Sequence, residues 1–294
     1  MLSILIPTYN YDVFPLVENL FNQCQKEGIE YEVLVLDDCS TEEIIIEKNS
    51  GIQTFQNVFL FRNENNLGRT QTRKLLAEKA KYNWLLFLDA DVIPAKENFI
   101  SEYTKTLEGK HNVVLGGYSY TNFNSDFSTI LRWKYGTERE QALASERNKK
   151  PYTYVFSGNI LIDKTTFLKN NFDENENIYG MDIYFSYNLF RNNVTVLHID
   201  NPIIHLGLEQ NEVFFKKSLQ SVENRKKYLT NLPQIKKVNS LLKHYKRLKK
   251  WKLTGIVGFV FKIYEPFLKK KILSENPNLF CFDLYRLGYI CTIK

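Results

Sequence analysis

The runs "VLVL" at residues 33–36 and "LLFL" at 85–88 are apolar on both faces of an extended chain. Strands of that kind need cover on both sides, the situation of a parallel sheet between helical layers. The intervening segments can supply it. Val13, Leu16, Val17, Leu20, Phe21 and Cys24 recur at helical spacing, and residues 72–80 read as a second helix. "LSILI" near the N-terminus and "NVFLF" at 57–61 are two further strands. Strand and helix in alternation predict an α/β fold with a mostly parallel sheet. A mean hydropathy of -0.34 over 294 residues argues against a polytopic membrane protein. "MLSILIPTYN" has no basic stretch and no apolar core of leader length, so a first strand is expected rather than a secretory signal. Four scattered cysteines form no C-x-x-C pair and fit a reducing compartment.

In such sheets, ligands bind beyond the carboxyl ends of the strands. Those ends are polar here: Pro7-Thr8-Tyr9-Asn10, Asp37-Asp38-Cys39-Ser40 and Asp89-Ala90-Asp91. No G-x-G-x-x-G and no G-x-x-x-x-G-K-[ST] follows a strand, which disfavours a dinucleotide site and a P-loop. A pyrophosphorylase-type nucleotidyltransferase is expected to carry a Gly-rich basic loop after strand one, where this chain has "PTYN". Phosphates then call for another partner. A divalent cation, Mn2+ or Mg2+, prefers carboxylate oxygens and bridges pyrophosphates. Two acids at i and i+2 converge on one ligand only within a turn. Taken alone, D-x-D also reads as an ordinary polar strand end, and Asp37-Asp38 as a helix-capping cluster with Ser40 and Thr41.

Five segments in order carry more than any one of them: "SILIPTYN", "VLVLDDCST", "NNLGRTQTR", "WLLFLDAD" and "GNILIDKTTFLKNNFDE…YGMDIYFS". Across roughly residues 1–210 they resemble a family 2 glycosyltransferase of the Rossmann-like GT-A fold. That resemblance implies a nucleotide-sugar donor, most often a UDP-sugar. Pro7, Thr8, Tyr9 and Asn10 would line the donor site, with Tyr9 near the base. Asp38 would accept from the uracil N–H, and Asp37 would be its structural neighbour. Gly68 and Arg73 match the family's G-x-x-x-x-R stretch. Asp89 would face the ribose, with Ala90 beside it, and Asp91 would hold the metal.

The acceptor half carries the proton chemistry. "YVFSGNILI" reads as a strand with Gly158 inside it, a mark of close backbone approach. Gly158, Asn159 and Gly180 fall on the acceptor side. Asp182 opens a helical pattern; by itself it reads as a first-turn acid stabilised by the helix dipole. Under the resemblance it is the catalytic base. Family members commonly carry Glu-Asp there; this chain has Met181-Asp182, which leaves the base and removes the Glu. A single carboxylate serves an in-line displacement that inverts the anomeric centre. Related enzymes place a metal-binding His near "IIHLG", which makes His205 a candidate ligand beside Asp91 and His198 a weaker one.

Charge divides the chain. Residues 241–294 hold twelve Lys/Arg against three Asp/Glu, while the whole chain is +6. Val238, Leu241, Leu242, Tyr245, Leu248 and Trp251 repeat at three or four with lysines opposite, the pattern of a basic amphipathic helix at an anionic membrane. "LTGIVGFVF" is too short to span a bilayer. The alternative is a helical appendage packed on the body. No nucleic-acid module is present, so no nucleic-acid partner is expected.

The resulting expectation is a glycosyltransferase domain at 1–235, divided into a nucleotide-binding half (1–110) and an acceptor half (111–235), with a basic helical tail at 236–294. It would move a sugar to a glycan or lipid-linked acceptor at the inner face of the cytoplasmic membrane. Competing readings are an inactive sugar-nucleotide binder or scaffold and, less favoured, a nucleotidyltransferase.

Overall fold

The computed structural model describes residues 1–123, 126–172, 180 and 182–293. Two compact units divide the chain: residues 1–121, 141–177 and 188–207 form the first, and 122–140, 178–187 and 208–294 the second.

The first unit opens with β1 (Leu2–Thr8), α1 (Phe14–Glu27), β2 (Tyr31–Asp37), α2 (Glu43–Ser50), β3 (Val58–Arg62), α3 (Arg69–Lys79) and β4 (Trp84–Leu88). The two-sided apolar runs behave as required. Every residue of β2 is buried, as are Leu85 to Leu88 of β4. β5 (Val92–Pro94), α4 (Phe99–Thr104), β6 (Val113–Leu115) and β7 (Tyr118–Ser119) follow. α5 (Ile130–Tyr135) belongs to the second unit, and α6 (Ala144–Arg147), β8 (Asn159–Asp163) and α7 (Lys164–Asn170) return to the first. α8 (Asp182–Arg191) runs from the second unit into the first, which closes with β9 (Val196–His198) and β10 (Ile203–His205).

The main sheet has seven strands in the order β3-β2-β1-β4-β8-β6-β9. β1, β2, β3 and β4 are parallel, and β8 runs antiparallel to both β4 and β6. The expected parallel sheet is thus interrupted at β8. Gly158 lies just before β8 rather than inside it. A second, three-stranded sheet has the order β5-β10-β7.

Among its described residues the second unit is helical. After α5 it contains α9 (Asn211–Asn224), α10 (Ser240–Lys250), α11 (Thr254–Ile272) and α12 (Leu279–Thr292). Leu131 of α5, Phe214 and Phe215 of α9, Phe261, Leu268 and Ile272 of α11, and Phe282 and Tyr285 of α12 share one core. The expected boundary at residue 235 therefore does not coincide with the division of the chain. The C-terminal helices share a core with residues that precede that boundary, because α9 and α5 would otherwise leave their phenylalanine and leucine faces in water.

Both expected readings of the tail, a membrane-facing helix and a packed appendage, turn on its apolar stripe. Val238, Leu242 and Tyr245, half of the expected membrane-facing stripe, are buried, and of the whole stripe only Trp251 is largely exposed. Apolar periodicity in α10 thus reports packing. The following apolar run extends into a nineteen-residue helix that contains Pro266. Among the described residues no helix is long and apolar enough to cross a membrane.

Two phenylalanines measure the difference between the faces of this unit. Phe282 is fully buried, whereas Phe259 is 67% exposed. Phe282→Ala should destabilise by about 3–5 kcal/mol, and Phe259→Ala should cost below about 0.5 kcal/mol. Urea unfolding of the full chain checks both.

Candidate functional site

The carboxyl ends of β1 and β2 are fastened to each other. Thr8 O accepts from Asp38 N at 2.8 Å. Asn10 adopts a left-handed backbone (φ 49°), donates its N–H to Ser40 Oγ, and accepts at Oδ1 from the N–H groups of Thr41 and Glu42. The chain itself therefore uses the Asn10 side chain to hold the loop before α2. Thr8 Oγ1 donates to Tyr11 O, and Pro7 belongs to β1. Tyr9 is 47% exposed and open to a planar ligand.

Asp37 and Asp38 have different duties. Asp37 Oδ1 accepts from the N–H and hydroxyl of Ser40 in the loop before α2; the N-cap of α2 is Glu42, with no side-chain cap bond, so the expected helix-capping role is not seen. Asp38 reaches the loop between β3 and α3. Its Oδ1 accepts from Asn63 Nδ2 and Leu67 N, and its Oδ2 from Gly68 N. Gly68 sits at φ 81°, outside the range of most L-residues, and its turn aims the start of α3 at the rim.

α3 then brings two arginines to Asp89. Arg69 Nη2 donates to both carboxylate oxygens at 2.8 and 2.7 Å, and Arg73 Nη2 donates to Oδ1. Tyr118 Oη donates to Oδ2 at 3.3 Å. Four hydrogen bonds fill this carboxylate, so a ribose hydroxyl reaches it only by displacing one of them. Burial opposes its charge, but Arg69, Arg73 and His205 outweigh burial and hold Asp89 at about 2. Arg73 is only 4% exposed, which makes it a buried counter-ion rather than a solvated helix residue. Arg69 escaped the sequence reading although it directly follows Gly68 in "GRTQTR". Gly158 also lies against Asp89: Gly158 O accepts from Asp89 N, and a β-carbon at Gly158 would collide with the Asp89 carboxylate and the Tyr118 hydroxyl.

Asp91, past the half-buried Ala90, turns to a different partner. β10 pairs antiparallel with β5, with His205 opposite Val92, so His205 arrives beside Asp91. Nε2 of His205 lies 3.5 Å from Asp91 Oδ2. Leu206 N donates to Asp91 O at 2.8 Å, and a β-carbon at Gly207 would collide with the Asp91 side chain. Tyr120 stacks on the His205 ring at 5.8 Å. Burial pushes the Asp91 carboxyl up, His205 pulls it back, and the charge of Asp89 adds to the rise. Burial and the charges of Asp91 and Asp12 also raise the Tyr11 hydroxyl, a neighbour the sequence did not reveal.

This pair fits a divalent cation. One carboxylate oxygen and one imidazole nitrogen 3.5 Å apart can both touch one ion. Among the described residues no third His, Cys, Asp or Glu joins them. Cations of this kind are commonly held by one or two protein ligands together with substrate phosphates.

The model for glycosyl transferase family 2 matches residues 3–167. The chain belongs to that family. An uncharacterized glycosyltransferase of Haemophilus influenzae is 39% identical over 93 residues, 31% of this chain and 29% of the relative. Chondroitin synthase of Pasteurella multocida is 26% identical over 219 residues, 64% of this chain and 23% of that one. The chain thus spans less than a third of the length of either. A solved mannosyltransferase from Pyrobaculum calidifontis, in complex with GDP-Man and Mn2+, superposes with a TM-score of 0.59. That match covers 98% of this chain and 85% of the other at 14% identity, which shows a shared GT-A fold.

The remaining expected residues of this family 2 glycosyltransferase have the following surroundings. Asn159 is 1% exposed; it accepts from Tyr103 Oη and donates to the carbonyls of Gly117 and Asn201. A side chain so engaged ties loops together. His198 is no metal ligand here, because both nitrogens are taken. Nδ1 faces the Arg147 guanidinium, which can only donate, and Nε2 faces Pro151 O, which can only accept. Gly180 and Asp182 belong to the second unit. Gly180 adopts φ 85° against Ser221, and half-buried Asp182 sits in the first turn of α8. Met181 lies outside the described residues.

Two expected outcomes follow from buried charge. Asp89→Asn leaves two arginines facing an amide, and should cost about 3–5 kcal/mol in urea unfolding. Burial, helped by Arg147, lowers the His198 ring from 6.5 to about 4, so the folded state refuses a proton that the unfolded chain accepts. That contribution is present above pH 6.5 and is lost as pH falls towards 4. It amounts to at most about 3 kcal/mol. Unfolding measured across this window should show the decline, and His198→Gln should flatten it.

Proposed function

We propose that this chain transfers a sugar, with inversion, from a nucleotide-sugar to a hydroxyl of a glycan or lipid-linked glycan. The observation that carries the reading is the pairing of Asp91 with His205 at the rim of a family 2 fold. A donor pyrophosphate at this rim would complete the coordination of Mn2+ or Mg2+. The cation would supply charge stabilisation for the departing nucleoside diphosphate.

The chain's own residues do the rest in this proposal. Exposed Tyr9 stacks on the base. The ring N–H meets Asp38 at Oδ2, which takes one hydrogen bond from the chain where Oδ1 takes two. Asp89 keeps Arg69 and Arg73 in place at the start of α3. Asp182 accepts the proton of the acceptor hydroxyl as its oxygen bonds to the anomeric carbon. The bond from that carbon to the diphosphate oxygen breaks on the opposite side. No covalent sugar–enzyme intermediate is needed. A lipid-linked acceptor would place the work at the inner face of the cytoplasmic membrane, with the basic C-terminal helices toward anionic lipid.

A panel of UDP- and GDP-sugars, with Mn2+ or Mg2+ and scored by thermal shift and nucleotide release, identifies the donor. Release of a nucleoside diphosphate supports transfer. Release of pyrophosphate points to a nucleotidyltransferase, and donor binding without turnover points to an inactive binder. Asp91→Asn should abolish nearly all turnover, since an amide is a poor substitute for a carboxylate ligand; undiminished turnover in EDTA would remove the metal from the scheme. Asp182→Asn should keep donor affinity while kcat falls roughly 10²-fold or more. A wild-type kcat with the true acceptor would assign the base elsewhere.

A further inference from the structure

α11 is apolar on two faces, and only one of them is used in packing. Gly258, Phe261, Leu268 and Ile272 are buried in the second unit. Ile256, Phe259, Val260, Ile263, Tyr264 and Phe267 return every three or four residues along the other side. Each of these is between 44% and 67% exposed. A solvated helix carries polar residues there. Six large apolar side chains in one stripe form a patch of the kind that marks a binding surface.

The surroundings of the stripe select its partner. Residues 240–272 hold ten Lys/Arg and a single acid, Glu265. That acid is turned inward, where its carboxylate accepts from the Tyr285 hydroxyl at 2.7 Å. Lys252, Lys262, Lys269, Lys270 and Lys271 are exposed, and Trp251 stands 64% exposed at the corner between α10 and α11. Against a second copy, this rim would set lysines against lysines. Against an anionic bilayer, the same rim meets phosphates while the stripe enters the acyl boundary. Tryptophan is suited to the level between the two.

We propose that α11 lies in the plane of an anionic lipid bilayer and docks through this stripe. The inference deepens the membrane-side placement in the functional reading and moves the contact from α10, whose apolar face is buried, to α11. At nineteen residues the helix spans about 28 Å along the surface.

The test uses the full chain without donor, acceptor or metal, and phosphatidylcholine vesicles with or without phosphatidylglycerol. The chain should co-sediment with the anionic vesicles only and leave them as salt rises. Phe259→Ser, Ile263→Ser and Phe267→Ser together should weaken partitioning roughly tenfold or more with an unchanged melting temperature. If that variant fails to fold, Lys262→Glu with Lys270→Glu provides the independent arm and should lose the preference for anionic lipid. The proposal is overturned if the wild type ignores anionic vesicles at low salt, or if the folded variants bind them undiminished. It is equally overturned if the wild type is a dimer in sedimentation that the triple variant splits. Because sugar transfer plays no part in the readout, a chain that binds vesicles but transfers nothing sinks the enzymatic reading alone.

Discussion

A carboxylate withdrawn from water at the end of a parallel strand needs positive charge beside it, and Asp89 shows what that requirement imposes. Its neighbours must be cationic, close and fixed. Arg73 is buried for this purpose, and Arg69 reaches the same carboxylate from the first turn of α3. Placing those arginines requires the turn at Gly68, and Asp38 holds that turn through two backbone amides. The ends of β2 and β4 are thus connected through the start of α3 by charge-assisted hydrogen bonds, and β1 joins β2 through the bond from Asp38 N to Thr8 O. The donor rim gains a defined shape before any ligand arrives.

A second buried charge organises the other edge of the same sheet. Arg147 is 1% exposed and donates to the carbonyls of Ala142, Leu115, Gly116 and Ile199, as well as facing His198. Most of its partners are main-chain oxygens at the ends of β6 and β9. The guanidinium therefore substitutes for ladder bonds where the strands stop.

Much of the nucleotide half is legible in the sequence because its signals are local. Each of β1, β2 and β4 holds an apolar run of four or more residues, with a polar strand end close behind it. The meeting of Asp91 with His205 depends on the pairing of β5 with β10, two three-residue strands far apart in the chain. Strands so short leave no periodic trace, and only the family resemblance suggested that histidine. The bonds of Asn159 were hidden for a related reason: in sequence, an amide that ties loops together looks like one that is open to a ligand. Periodicity in α10 likewise revealed an apolar stripe without revealing what covers it. The exposed stripe on α11 was hidden because Lys262 interrupts the apolar run in sequence but not on the helix surface.

Gly158 and Gly207 each leave room for one acid by having no side chain of their own. A single methyl group at Gly207 would push the Asp91 carboxylate aside, whereas one at Gly158 would also disturb the pairing of Asp89 with Arg69 and Arg73 on which the rim depends.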